Sequence, residues 1–458
     1  MSTIKNRLST NSGILRLLVE KAGLDQAVVF TLLTRAWQAL AGLVSLLLIA
    51  KFFTPEIQGF YYTFSSLLAL QAFVELGLYV VIVNLTSHEW SRLSMDDSGT
   101  LTGDGAALSR LASLARFIAK WYAGVSLLFV VGVGIGGHVF FSKVHATDVA
   151  WQAPWWTVVA LAALQLWLMP VLSLLEGCNQ VVALNRFRLM QTLAEALTMW
   201  VLLAAGAGLW VVAGALAVKA AATLVFLAGR YRRFFRSLSA SAGQERIRWR
   251  QEVWPMQWRL AVQGLVNYLL FSLFTPVMFH YHGPAVAGRM GMTLQVLSVV
   301  QMMASAWVQT KVPRFGMLAA RRDYGELDRL WWRASNLSYG FTVALSVIIW
   351  VAVLILSESG VGFASRILGP LPTALFLIAY GLMHVSSCYA VYLRAHAREP
   401  FLALGVSSGL LIGGLVFLFG SSHGPTGAAA SFMAAAGLYV VPLSIMVWKR
   451  RRAEWQRA

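Results

Sequence analysis

Continuously apolar stretches recur from one end of the chain to the other, and most are long enough to cross a bilayer. Twelve can be read, at roughly 27–50, 57–84, 117–141, 154–176, 190–208, 209–229, 260–281, 286–310, 336–357, 371–393, 401–419 and 426–448. A helix needs about 20 such residues to span the hydrocarbon. The stretches do not alternate with period two, which excludes a transmembrane β-barrel. The expectation is an all-α integral membrane protein of twelve transmembrane helices. Composition agrees, with 58% hydrophobic and 12% charged residues, against about 25% charged in soluble domains. A soluble enzyme and a disordered chain are excluded. The fifth and sixth stretches nearly fuse around Gly206 and Gly208 and predict a tight helical hairpin.

The chain carries 37 Lys and Arg against 19 Asp and Glu, a net charge of +18. With the N-terminus placed in the cytoplasm, 31 of the basic residues fall on cytoplasmic segments and four (Lys51, Lys143, Arg289, Arg366) outside. One missed or invented span would scramble that split, so it predicts an even helix count with both termini cytoplasmic. Topology thus accounts for the positive charge, and no nucleic-acid partner is expected. The runs at 230–236 and 449–452 are placed to meet anionic lipid head groups. Residues 1–26 are polar and basic and do not read as a secretory signal. The sequons at Asn84 and Asn336 sit beside cytoplasmic ends and are discounted. Cys178 and Cys388 show no metal spacing and are expected as free thiols.

A Pro-x-x-x-Gly turn occurs at Pro55–Gly59 and again at Pro284–Gly288, an offset of 229 residues in a chain of 458. Each opens the second span of a six-span half. The reading is two pseudo-symmetric six-helix bundles, 1–229 and 260–458, joined by a basic cytoplasmic linker at 230–259. Such parallel repeats place a substrate path between the halves.

The run Phe53-Thr54-Pro55-Glu56-Ile57-Gln58-Gly59-Phe60-Tyr61, leading into Phe73-Val74-Glu75-Leu76-Gly77, resembles the polysaccharide-transporter branch of the multidrug/oligosaccharidyl-lipid/polysaccharide (MOP) superfamily, the Wzx-type flippases. The resemblance implies a translocase, not an enzyme. It would move an undecaprenyl-diphosphate-linked oligosaccharide across the bacterial cytoplasmic (inner) membrane by alternating access. The product would be O-antigen, capsule or exopolysaccharide. Polymerase and glycosyltransferases would be partners, and the protein is expected as a monomer among membrane lipids.

Ionisable side chains at bilayer depth are costly and therefore functional candidates. Arg35 lies about 12 Å into the first span and Glu75 about 15 Å into the second, at 1.5 Å per residue, so the two are expected to pair. Lys219 and Glu195 lie in the sixth and fifth spans. In the second half the position equivalent to Glu75 is Ala304, and the polar groups are uncharged: Asn267, Gln295, Gln301, Ser305 and Gln309. Gln295, Ser298, Met302, Ser305 and Gln309 share one helical face, as do Thr31, Arg35, Gln38, Gly42 and Ser45. Both faces read as walls of a hydrated cavity. Arg35 and Lys219, with Gln38, Asn267, Gln295 and Gln309, are the candidate substrate-binding residues. Glu75 and Glu195 are candidates for an ion pair or for a coupling proton or sodium ion. No cofactor or metal is expected.

Bland readings stand beside these. Arg35–Glu75 is expected as a helix lock if not a site, Lys219 as a snorkelling cation, and Glu176 and Arg259 as interfacial groups. His384 is expected as a satisfied packing histidine, and His280 and His282 as solvated ones. Trp151, Trp155, Trp156, Trp331, Trp332 and Trp448 fit interface belts. Gly132/Gly136 and Gly409/Gly413 have the spacing of helix-packing pairs. Two other functions remain open. A multidrug exporter would want an acid-lined cavity. A membrane glycosyltransferase, polymerase or ligase would want acids or a large loop outside, where only Glu56, Asp148 and Glu358 fall. No P-loop pattern occurs.

Overall fold

A computed structural model of the chain describes residues 26–71, 75, 78–96, 98–143, 148–240, 254–360, 362–396 and 400–457. The polar N-terminal segment, Phe73, Val74, Leu76, Gly77, the linker residues 241–253 and Arg398 lie outside the described residues, as does the side chain of Arg259. The architecture is all-α. The first half contains α1 (Gln26–Phe52), α2 (Pro55–Leu68), α3 (Leu78–Trp90), α4 (Gly105–Phe129), α5 (Gly136–Ser142), α6 (Gln152–Gly177), α7 (Val181–Ala204), α8 (Trp210–Arg230) and α9 (Arg232–Ala240). The second contains α10 (Trp254–Phe271), α11 (Phe274–His282), α12 (Pro284–Gln309), α13 (Val312–Ala320), α14 (Tyr324–Glu358), α15 (Pro370–Arg394), α16 (Leu402–Ala435) and α17 (Val441–Arg457).

Eight helices are long and apolar enough to cross a membrane. The other crossings escape that criterion for local reasons. The second span is interrupted by a turn at Ala69 and Leu70, and the seventh between Phe271 and Phe274. The fifth, α7, opens on the polar run Asn185–Arg188. The eleventh and twelfth run together through α16, which turns at Gly424 (φ 61°) before Pro425. Proline cannot continue the backbone ladder, and glycine accepts the left-handed conformation. The fold is therefore a multi-pass membrane protein of twelve helices.

Several spans are longer than hydropathy alone predicts, because polar ends find partners. The fifth begins at Val181, not 190, where Arg188 bonds Glu176 at 2.6 Å. Glu176 also accepts from the Tyr79 hydroxyl at 2.7 Å. The third begins at Gly105, not 117, capped by the Asp104 side chain, and Arg110 bonds Glu89 at 2.7 Å. The α7–α8 hairpin turns through Gly206 (φ 70°) and Gly208 (φ 55°).

The polar segments also fold. A hairpin, β1 (Leu93–Met95) with β2 (Leu101–Gly103), pairs antiparallel. In its turn the Asp96 carboxylate accepts from the Ser98 hydroxyl (2.7 Å) and the Thr100 N–H (2.8 Å), which holds its pKa below the usual range. The hairpin rests on α9: the Leu101 N–H donates to Ser237 and Arg233 donates to the Ser98 carbonyl, both at 3.3 Å. In α9 Phe234 and Leu238, one turn apart, are buried, while Arg232, Arg233 and Arg236 are exposed. That is an amphipathic helix with its apolar face inward.

Tight glycines fix the helix crossings. A Cβ on Gly409 would meet Val266 at 3.2 Å, and one on Gly413 would meet Leu269 at 3.3 Å, so this pair packs α16 on α10. Gly132 and Gly136 face open space. The packing residues on that helix are Gly134 and Gly137, whose Cβ atoms would lie 2.7 Å from Trp156 and 2.1 Å from Trp155. Trp155 is thus a buried wedge, donating to the Gly134 carbonyl at 3.0 Å, and not a belt residue. Trp331 and Trp448 are likewise buried, stacked 5.4 Å apart beside Tyr389 and Tyr392. Their ring area is satisfied inside the helix bundle and has no need of the interface.

Candidate functional site

The two repeated turns meet each other. Pro55 and Pro284 each occupy the first turn of a helix, after Thr54 and Gly283. A Cβ on Gly59 would lie 1.9 Å from the Pro284 carbonyl oxygen, and one on Gly288 would lie 2.9 Å from the Gly59 nitrogen. Only hydrogen fits at either place. One turn further, a Cβ on Gly291 would lie 2.3 Å from Tyr62. Buried Gln58 closes the junction, its amide N donating to the Gly288 carbonyl (2.9 Å) and to the Arg366 carbonyl (3.0 Å). The halves are thus pinned backbone to backbone at the end opposite the basic residues. Gln58 is a residue the charge search passed over. Its signal was a lone amide inside the repeated turn.

Away from that junction a cavity of about 520 Å³ opens beside α1, α2, α7 and α8. Polar groups on its wall are Gln38, Ser45, Ser65, Thr192, Glu195 and Lys219, with Trp37 and Tyr61 as aromatic surfaces. Lys219 Nζ lies 3.8 Å from Glu195 Oε2, with both side chains part-exposed. Lys219 is therefore a paired cavity residue and not a snorkelling one. The wall is braced from behind: Gln191 donates to the Lys219 carbonyl (3.0 Å) and to Thr223 (2.9 Å), and Trp200 donates to Ser45 at 2.9 Å.

The polar face of α1 is divided. Its ends are tied to α7, Thr31 accepting from Asn185 at 3.0 Å and Ser45 from Trp200. Arg35, Gln38 and Gly42 remain between them. Arg35 is exposed and has no ion pair among the described residues. It lies one turn from Gln38, on the same helical face. The expected Arg35–Glu75 pair is not formed. The first span packs on α7 and not along the second, and Glu75, helical and half-buried between α2 and α3, lies outside the cavity wall.

Across from α1 lies the Gln295 face of α12, whose residues are not among those lining the cavity. Gln295, Ser298, Met302 and Gln309 are exposed, and the Gln295 amide N lies 4.0 Å from where a Gly42 Cβ would be. The two polar faces thus look at each other between the halves. Asn267 is exposed on α10; it is not among the cavity-lining residues. Gln301 turns away and donates to His384 Nδ1 at 3.0 Å. His384 Nε2 lies 2.7 Å from Ser338 Oγ, which itself donates to the Ala304 carbonyl. The hydroxyl proton is committed to that carbonyl, so His384 donates to Ser338 and accepts from Gln301, a neutral ring with both nitrogens satisfied. His282 is likewise not merely solvated: its Nε2 lies 2.8 Å from the Gly420 carbonyl. Cys178 and Cys388 are buried free thiols.

No protein-family model matches the chain, and no curated protein matches it either. Solved structures do. An inward-facing multidrug-resistance MATE transporter of the MOP superfamily superposes with a TM-score of 0.63 over 95% of this chain and 100% of that one, at 12% identity. A MATE transporter from Vibrio cholerae gives 0.56 over 94% and 98%, at 12% identity. A MOP superfamily transporter from Pyrococcus furiosus, described as having a binding pocket of reversed polarity that suggests a different function, gives 0.56 over 94% and 96%, also at 12% identity. The chain has the twelve-helix fold of these membrane transporters.

Proposed function

We propose that the chain is a flippase for an undecaprenyl-diphosphate-linked oligosaccharide, working by alternating access between its halves. The observation that carries this reading is Arg35, an exposed cation with no acid paired to it among the described residues, one turn from a cavity of amides, hydroxyls and aromatic rings. A guanidinium grips phosphate oxygens bidentately, and the amide and aromatic wall suits a sugar. Gln38, Gln295 and Gln309 would meet the oligosaccharide, with Asn267 further along the path. Lys219 would be released to substrate if Glu195 took a coupling proton or sodium ion, and Glu75 is the second acid available for that role. The charge split places the basic end in the cytoplasm, so that substrate would be loaded there, at the inner membrane, after glycosyltransferases and before a polymerase. The product would be O-antigen, capsule or exopolysaccharide.

One observation favours multidrug export instead. Glu195 lies on the cavity wall, where it would attract an organic cation. Complementation separates the two readings. Cells lacking their own flippase should recover surface polysaccharide with the wild-type chain. They should lose at least tenfold of it with Arg35→Ala and part of it with Arg35→Lys, at equal protein level. Full polysaccharide with Arg35→Ala, together with drug resistance lost in Glu195→Gln, would replace this reading with the exporter.

A further inference from the structure

A second groove, of about 690 Å³, lies on the other side of the first half and shares no lining residue with the cavity. Its floor is α6, flanked by α4 and α8, with α9 across the basic end. Along α6 it runs from Leu174 to Trp167, about 10 Å into the membrane at 1.5 Å per residue. The walls are apolar, and Trp167 and Leu224 are exposed. At the basic end stand Arg116, Arg232 and Arg236, all exposed and none in an ion pair among the described residues. The burial of Phe234 and Leu238 holds α9 down, so two of the three guanidiniums come from a seated helix and not from a loose tail.

An apolar slot of this depth crowned by three exposed guanidiniums matches one kind of molecule, with a hydrocarbon tail and an anionic head. We propose that this groove is a binding site for an anionic phospholipid, its acyl chain along α6 and its phosphate held by Arg116, Arg232 and Arg236. The occupant is a resident lipid and not the transported one, because the groove has no polar wall for a sugar. The site would steady α9 and the β-hairpin that rests on it.

The test uses the full chain in a neutral detergent, with phosphatidylglycerol, phosphatidylcholine and glycerol phosphate as probes, read by native mass spectrometry and by thermal shift. Phosphatidylglycerol should bind and raise the melting temperature. Phosphatidylcholine and glycerol phosphate should do neither at the same concentrations, since one lacks the charge and the other the tail. Arg116→Gln/Arg232→Gln/Arg236→Gln should weaken phosphatidylglycerol binding about tenfold or more by removing its charge-assisted contacts. Arg321→Gln/Arg329→Gln/Arg333→Gln, an equal loss of charge elsewhere at the basic end, should leave it within about twofold. Ala228→Trp, which fills the slot and keeps every charge, should also abolish the shift. Equal effects of the two triple changes would reduce the interaction to general surface charge and overturn the site. So would a wild-type chain that does not distinguish phosphatidylglycerol from phosphatidylcholine, a measurement that needs no variant to fold.

Discussion

The two halves share a fold plan and spend their polar residues differently. In the first half, Lys219 and Glu195 face a cavity, and Arg35 stands beside it with no ion pair among the described residues. In the second, Gln301, His384 and Ser338 satisfy one another in a chain that ends on the carbonyl of Ala304. Ala304 stands 229 residues after Glu75, the same offset as the repeated turns. Where the first half keeps an acid, the second uses the backbone as an anchor for packing. Below that network, Trp331, Trp448, Tyr389 and Tyr392 lock the basic end together, and Arg452 and Tyr392 both bond Asp328. The lesson is a division of labour. One half places charge on a cavity wall, and the other ties its polar groups into packing.

The largest expected effect tests the place where the halves touch. Gly59→Ala puts a methyl carbon 1.9 Å from the Pro284 carbonyl oxygen. Backbone cannot rotate out of the way, so the cost should reach about 3 kcal/mol, the upper range for forced repacking. If the chain transports by alternating access, transport should fall with it, because the two turns are in direct backbone contact. An unchanged melting temperature would mean that the halves do not meet at the repeated turns.

The next effect tests rigidity in the second half. His384→Leu leaves the Gln301 amide without its partner and removes the donor to Ser338, at a cost of about 1–3 kcal/mol. The loss should appear in chemical or thermal unfolding, while the surviving folded protein keeps its substrate preference. A changed preference at normal stability would make His384 part of the site and break the comparison.

A smaller effect is expected from the ion pair in the first half. Lys219 and Glu195 are partly exposed, so their coupling in a double-mutant cycle should be about 0.2–1 kcal/mol. Transport should nevertheless be lost in both single changes and stay lost in Lys219→Ala/Glu195→Ala. Recovery in the double variant would make the pair a mere lock and leave Arg35 as the one functional charge of that wall.

How much of this was legible in the sequence depends on what each feature rests on. The spans, the α7–α8 hairpin and the repeated turns rest on hydrophobic length and on glycine and proline, which act locally. The lengths of α4 and α7 do not, because Arg110 and Arg188 are carried into helix by acids 21 and 12 residues away in sequence. Depth alone paired Arg35 with Glu75. It missed that the first span packs on α7, and that a turn at Ala69 and Leu70 interrupts the second. Depth also said nothing of azimuth, which is why Gln301 points away from the face that Gln295 shares with Gln309. The tryptophans were misplaced for a related reason: belt residues and buried wedges look alike until the glycine opposite is known.

The smallest prediction turns on that last point. Gly132 and Gly136 have the four-residue spacing of a packing pair, yet a Cβ on either meets nothing within 4 Å. Gly137, next to Gly136, would drive its Cβ to 2.1 Å from the Trp155 ring. Gly132→Ala should therefore change stability by no more than about 0.5 kcal/mol, as surface changes do. Its sign should be favourable, since alanine holds a helix better than glycine by up to about 1 kcal/mol. Gly137→Ala should cost at least 1 kcal/mol, in the range for overpacking. Thermal unfolding of the two variants side by side decides it. The reverse order would restore the spacing rule and move the contact of this helix from Gly134 and Gly137 to Gly132 and Gly136. In that case Trp155 would be free to turn outward to the membrane interface, where its residue type alone had placed it.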